Sequence, residues 1–128
     1  MIKGIIDIDI YWKVIVYYDI DYDFFNIIVD DLINHNISNN NIDRIYNNMF
    51  SHKAKACTVS IPKCNTSIVL FNKHKSYYDY INSIVHEAEH IKQTMLYTYQ
   101  IDDLDEPPAY TVGYVASQMI KLLNLTIN

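Results

Sequence analysis

The order of apolar and polar positions along the first third of the chain predicts a strand. In residues 5–18, apolar side chains recur at every second position, a period typical of β-strands. The alternation places seven residues on one face: Ile6, Ile8, Ile10, Trp12, Val14, Val16 and Tyr18. We therefore predict one long strand over residues 5–18.

The spacing then changes to intervals of three and four, which indicates helices. One helix is predicted over residues 23–35. The run "NISNNN", residues 36–41, then interrupts the pattern, and a second helix is expected to begin within it, with Asn40 as its N-cap. Two β-prone runs within residues 54–72, separated by the turn formers of "PKCNT", then predict a hairpin.

Two further helices complete the predicted order of elements. The helical period returns over residues 76–97, and Pro107 and Pro108 are typical of the first turn of a last helix. The order β-α-α-β-β-α-α predicts an α+β fold, with a small antiparallel or mixed sheet of about three strands and four helices. We expect residues 1–128 to form a single domain, since no linker or repeat interrupts them.

Composition and charge narrow the function classes. Half of the 128 residues are apolar and the net charge is −5, with Arg44 the single arginine, so we expect a folded protein without a nucleic-acid partner. Asp7 and Asp9 interrupt the apolar N-terminus, and no run reaches the ~18 apolar residues of a membrane span, so we expect neither secretion nor a membrane. Cys57 and Cys64 are then expected to be reduced.

The segment "HEAEH", residues 86–90, carries the candidate chemistry. At about 100° per residue, His86 and His90 lie about 40° apart on a helix, so both imidazoles reach one ion. Glu87 lies about 100° from His86, which makes it a poor ligand but lets its carboxylate reach a metal-bound water as general base. Zn²⁺ suits this pair, because two imidazoles and a carboxylate leave a fourth tetrahedral position for water.

Glu106 is the candidate third ligand. The chain has only three glutamates, and Glu106 follows His90 by sixteen residues. The intervening loop is long enough to return it to the level of the histidines, and its place before a proline predicts an N-cap. Tyr110, one turn on, is expected to face the site, and Gly113 to allow the two helices to approach closely.

Two other interpretations of "HEAEH" stay open at this stage. The histidines could be surface residues on a solvated helix, or the zinc site could be structural and inactive. His35, His52 and His74 lack ligand spacing and are expected at the surface. His74 precedes the helix of the motif and is the one most able to approach the metal.

The two motifs together carry a family resemblance. "HEAEH" followed by "EPPAYTVGY" resembles the minimal gluzincin-type metallopeptidase-like proteins of bacteriophages and mobile elements of gut Bacteroidales, over about residues 54–123. The resemblance implies a zincin-like fold, with His86, His90 and Glu106 as zinc ligands, Glu87 as base and Tyr110 nearby. It also implies that the strand "SIVLFN" lines a groove for an extended peptide.

The motif predicts a zinc-dependent peptidase acting on a protein or peptide, and the resemblance implies that it is phage-encoded and works in the host cytoplasm or in association with the virion. Tyr110 or His74 would donate to the oxyanion. The rival hypothesis is a non-catalytic zinc-binding phage protein, a virion or host-interaction component that uses the zincin fold as a scaffold. A metal position open to water beside Glu87 favours the enzyme, and one filled by a side chain favours the scaffold. The sequence does not set the oligomeric state.

Overall fold

The protein is described by a computed structural model over residues 1–8, 12–99 and 106–127, with the side chains of 106–110 and 126–127 outside the description. Its elements follow in chain order: β1 (Ile2–Ile8), β2 (Trp12–Tyr18), α1 (Phe25–Asn34), α2 (Asn39–Phe50), β3 (Ala56–Ile61), β4 (Thr66–Phe71), α3 (Tyr77–Tyr99) and α4 (Glu106–Ile127). Short 3-10 turns precede α1 and join β3 to β4. The predicted α+β class, the four helices and the hairpin within residues 54–72 are confirmed.

The strands of the described residues form one open sheet in the order β1-β2-β4-β3. β2 and β4 run parallel, whereas β1–β2 and β3–β4 are antiparallel pairs, so the sheet is mixed. The sheet has four strands where about three were predicted. β4 is interior with a neighbour on each side, and β3 is an edge strand.

The fourth strand arises because residues 5–18 do not form one long strand. They belong to two antiparallel strands, β1 and β2, whose register pairs Ile6 with Val14 and Ile8 with Trp12. Every pair in this register couples positions of the same parity, and directly opposite residues share a face of the sheet. The even-numbered side chains therefore stay on one buried face through the reversal, and the alternation alone cannot reveal it. Ile10 lies outside the described residues.

Helices cover both faces of the sheet. α3 and α4 pack on the even-numbered face of β1 and β2, in a cluster that includes Val14, Val16, Ile84, Ile91 and Met119. α1 and α2 pack on the opposite face against Ile15, Tyr17, Ile68 and Leu70. Being covered twice, β4 is buried along its whole length, which explains the continuous apolar run of residues 68–71.

Two local predictions for the helices are wrong. The N-cap of α2 is Ser38 instead of Asn40, because the Ser38 hydroxyl accepts a hydrogen bond from the backbone N–H of Asn41 at 3.3 Å. Gly113 does not allow close helix approach, since a Cβ placed there would meet nothing within 4 Å. The glycine that does is Gly4, where a Cβ would lie 2.5 Å from a methyl carbon of Leu122, so α4 crosses directly over β1 at this point.

α3 and α4 run in opposite directions across this face. Tyr18 contacts the early part of α3 through the Tyr80 ring and donates to the backbone oxygen of Met119 in α4. At the other end of the hairpin, Trp12 contacts Tyr99 at the end of α3, and Tyr114 donates to the backbone of β1. The first turns of α4 thus lie toward the later turns of α3. Neither these helices nor the others that the structure describes combine the length and apolar character needed to cross a membrane.

Candidate functional site

The orientation of α3 is set by its apolar stripe. Ile84, Ala88 and Ile91 are buried in the core beneath the sheet face. At helical spacing this turns His86 and His90 outward, and both histidines are exposed. The two histidines therefore project from the same side of α3, in agreement with their spacing of one turn.

The two imidazoles converge on one point. Their Nε2 atoms lie 3.1 Å apart, and the ring planes are inclined at 84°. Two nitrogens that each lie about 2.05 Å from a tetrahedral zinc ion are about 3.3 Å apart, so the pair fits shared coordination of one metal. The same distance also fits a hydrogen bond between the two rings.

Glu87 lies beside the histidines, and its side chain points toward β3. It is only 4% exposed, and its Oε1 accepts a hydrogen bond of 2.9 Å from the hydroxyl of Thr58 on β3. A buried carboxylate is costly unless it is hydrogen-bonded, so Thr58 both stabilises Glu87 and fixes the direction of its carboxylate.

Between β3 and α3 lies a groove with a volume of about 750 Å³. Its walls include Thr58 and Ser60 from the edge strand and His86, Glu87 and His90 from the helix. The expectation that "SIVLFN" pairs with an extended peptide is wrong, because β4 already pairs with β2 and β3 along its length. β3 is the strand beside the groove whose outer edge has no neighbouring strand in the described sheet.

Two other titratable residues lie near the proposed metal ligands: Cys57 on β3 and Glu89 on α3. Cys57 packs toward α1 and α2, on the face of β3 opposite Thr58. Burial, assisted by the negative charge of Glu87, raises the pKa of its thiol to about 12, so Cys57 is a neutral thiol. Glu89 bonds its neighbours Lys92 at 2.7 Å and Gln93 at 2.9 Å, which lowers the pKa of its carboxyl and occupies one carboxylate oxygen.

For Glu106 and Tyr110, two further predicted site residues, the structure describes the backbone and not the side chains. Glu106 is the first residue of α4 where an N-cap was predicted. Among the described side chains, no three of the His, Cys, Asp and Glu residues form a metal-binding group. His74 is committed elsewhere, since its ring nitrogens lie 2.6 Å from the Asn72 backbone oxygen and 2.7 Å from the Ser83 hydroxyl.

Thr58 is the site residue that sequence reasoning missed. It stands 29 positions before Glu87, and local periodicity carries no information about contacts at that separation. A signal is nevertheless present in β3, where Ala56, Thr58 and Ser60 give one face of the strand small and polar side chains. Such a face is typical of an edge strand or of a strand beside a cavity.

Comparison with known proteins identifies no relative of this chain. No protein-family model matches the sequence, and neither a curated protein nor a solved structure matches it. The resemblance to gluzincin-type proteins stays a prediction, and the site has to be interpreted from its own residues.

Proposed function

We propose that this protein is a zinc-dependent peptidase, with His86 and His90 as two of the metal ligands and Glu87 as the general base. One observation carries the proposal. The Nε2 atoms of the two histidines lie 3.1 Å apart on the open wall of a groove, next to the buried carboxylate of Glu87. The proposal includes the setting implied by the resemblance, a phage protein in the host cytoplasm or on the virion.

Glu106 is the proposed third ligand, and the helix directions support it. Tyr18 contacts both Tyr80 in α3 and Met119 in α4, so these two residues lie at about the same height along the two helix axes. At ~1.5 Å per residue, His90 lies about 15 Å beyond Tyr80, and Glu106 lies about 20 Å before Met119. Because the helices are antiparallel, both displacements run the same way. Measured along the axis of α3, the start of α4 is thus near the level of the histidines.

Each residue around the proposed metal position has its own role in the proposed reaction. Zinc bound there would supply a Lewis acid and lower the pKa of a water molecule towards ~7. Glu87 lies one position from His86, and its carboxylate would take a proton from that water and return it to the leaving amine. Thr58 would keep the carboxylate aimed into the groove. His74 is not proposed for the oxyanion, because both its ring nitrogens are already bonded.

The groove also suits an extended peptide. The backbone of β3 pairs with β4 on one side and has no neighbouring strand on the other side in the described sheet, and residues of β3 and α3 line the groove together. A peptide that adds to a sheet edge gains backbone hydrogen bonds along its length. Pairing with β3 would bring a peptide bond past Thr58, the residue that contacts Glu87.

Thr58 provides a test of this arrangement. Replacing Thr58 by Val keeps the shape but removes the hydroxyl donor, so we expect peptide cleavage to slow about tenfold, the effect of one hydrogen bond to a charged group. Thr58→Ser retains the donor and should restore the rate to within about threefold of the original. Zinc affinity should be equal in both variants. Equal loss of rate in the Val and Ser variants would contradict a positioning role through the hydroxyl.

The peptidase proposal as a whole is tested by incubating the zinc-loaded protein with lysates of host and phage proteins. We expect new peptide termini that disappear when a chelator is added and return with zinc, because cleavage requires the metal. The termini are identified by sequencing peptides from matched samples. If no chelator-sensitive termini form, the non-catalytic zinc-binding scaffold replaces the peptidase proposal.

A further inference from the structure

A second cavity, of about 310 Å³, lies at the start of α3. Its lining is mainly basic, and its charged and imidazole side chains are Lys55, Lys73, Lys75, His52, His74 and Asp79. Three lysines face one aspartate, in a chain whose net charge is −5. The cavity, which we call the lysine pocket, therefore concentrates positive charge in an acidic protein.

The walls of the lysine pocket are held together by Asn72, which is 2% exposed. Its side-chain amide donates to the backbone oxygens of Met49 at 2.9 Å and Ala54 at 3.1 Å, and its backbone N–H donates to the backbone oxygen of Lys55 at 3.0 Å. These bonds tie the segment before β3 to the segment that leads into α3. Lys55 and Lys73 thus come from two segments whose backbones are fixed against each other.

His74 forms another fixed part of the pocket. Its ring stacks on Tyr80 with centroids 4.5 Å apart, and its nitrogens are bonded to Asn72 and Ser83. With the His74 imidazole committed, the three lysines and His52 are the basic groups left to meet a ligand. Within the described part of the chain, the ion pairs are those of Lys3 with Asp31 and Lys92 with Glu89, so the three pocket lysines have no ion-pair partner there.

The lysine pocket adjoins the groove of the histidines. Lys55 lines both cavities, and Ser83, which bonds His74, lines the groove. Asp79 in the pocket and His86 in the groove are seven residues apart on α3, or about 10 Å. An extended peptide covers that distance in about three residues at ~3.3 Å each.

We propose that the lysine pocket binds a carboxylate of the substrate, two to four residues from the bond that is cleaved. The proposal rests on the peptidase function. The carboxylate is either that of an aspartate or glutamate side chain or the C-terminal carboxylate of a short peptide, because an ammonium group recognises both by charge and hydrogen bonding. In the first case the enzyme prefers acidic over neutral peptides, and in the second it prefers a free over a blocked C-terminus.

The test measures binding without turnover, in the zinc-loaded Glu87→Gln protein. Three octapeptides serve as probes: a doubly blocked peptide alternating alanine with glutamate, its glutamine counterpart, and the glutamine peptide with a free C-terminal carboxylate. We expect one carboxylate-bearing peptide to bind at least about fivefold tighter than the blocked neutral one. Its binding should shift the backbone amide NMR signals of residues 72–79. The stronger of the two identifies the source of the carboxylate.

Charge removal completes the test. In the same protein, the double change Lys73→Met and Lys75→Met should abolish the carboxylate preference. Lys63→Met, at an exposed lysine beyond the other end of β3, should leave it intact. Equal binding of all three peptides, no binding at millimolar concentration, or the same loss in the Lys63 variant would overturn the proposal. If the protein prefers carboxylate-bearing peptides but the parent protein cleaves none, the peptidase proposal is wrong. If the parent protein cleaves peptides without preferring a carboxylate, the proposal for the lysine pocket is wrong.

Discussion

Replacing Glu87 by Gln is expected to lower the rate of peptide cleavage by at least ~10²-fold while leaving zinc binding nearly unchanged. Glutamine keeps the size of the side chain and can still accept the hydrogen bond of Thr58. It cannot take up a proton, so only general-base catalysis is lost. The rate is measured on the peptide termini generated by the parent protein, and zinc content is measured on the same samples.

Glu89 offers a matched control within the same motif. Its carboxylate bonds Lys92 and Gln93 on the surface of α3, so Glu89→Gln should change the cleavage rate by less than about threefold. Cleavage by Glu87→Gln at the parental rate would contradict the proposed mechanism and favour the scaffold hypothesis. Equal losses in both variants would point to disturbance of α3 instead of loss of a base.

The helical part of the site could be predicted because its geometry is local. His86 and His90 are one turn apart, and the apolar stripe of Ile84, Ala88 and Ile91 sets which way that turn faces. Both facts are contained in fewer than ten residues. The convergence of the imidazoles and their exposure therefore followed from spacing alone.

The contribution of the sheet could not be predicted, because strand order depends on contacts far apart in sequence. Nothing local shows that β4 lies between β2 and β3, and this order decides which strand borders the groove. The reversal between β1 and β2 was missed for a different reason. Their register preserves parity, so a hairpin and a single strand produce the same alternation.

Removing a histidine ligand is expected to have the largest effect on metal binding. His90→Ala leaves His86 as the one imidazole of the pair. Loss of a residue that only hydrogen-bonds a metal ligand lowers affinity by up to ~100-fold, so loss of a ligand itself should lower zinc affinity by at least that factor. Glu106→Ala should weaken binding if its carboxylate is the third ligand. Affinity is measured by competition with a chelator of known strength.

The gain in thermal stability on zinc binding should be larger for the parent protein than for His90→Ala. A ligand present at about 100 times its dissociation constant stabilises a fold by ~2.7 kcal/mol. For a domain of this size, that raises the melting temperature by about 10 °C. The parent protein should show this shift with zinc and lose it with chelator, and His90→Ala should show little shift at the same zinc concentration.

His52 is the control for nonspecific binding by histidine. It lies in a turn with a positive φ of 59°, a conformation that asparagine tolerates, so His52→Asn removes an imidazole without straining the backbone. This variant should keep the zinc affinity and the thermal shift of the parent. If instead the parent binds no metal tighter than micromolar, or His90→Ala binds as well as the parent, the 3.1 Å contact between His86 and His90 is a hydrogen bond between two surface imidazoles. The buried Glu87 would then be a structural carboxylate held by Thr58.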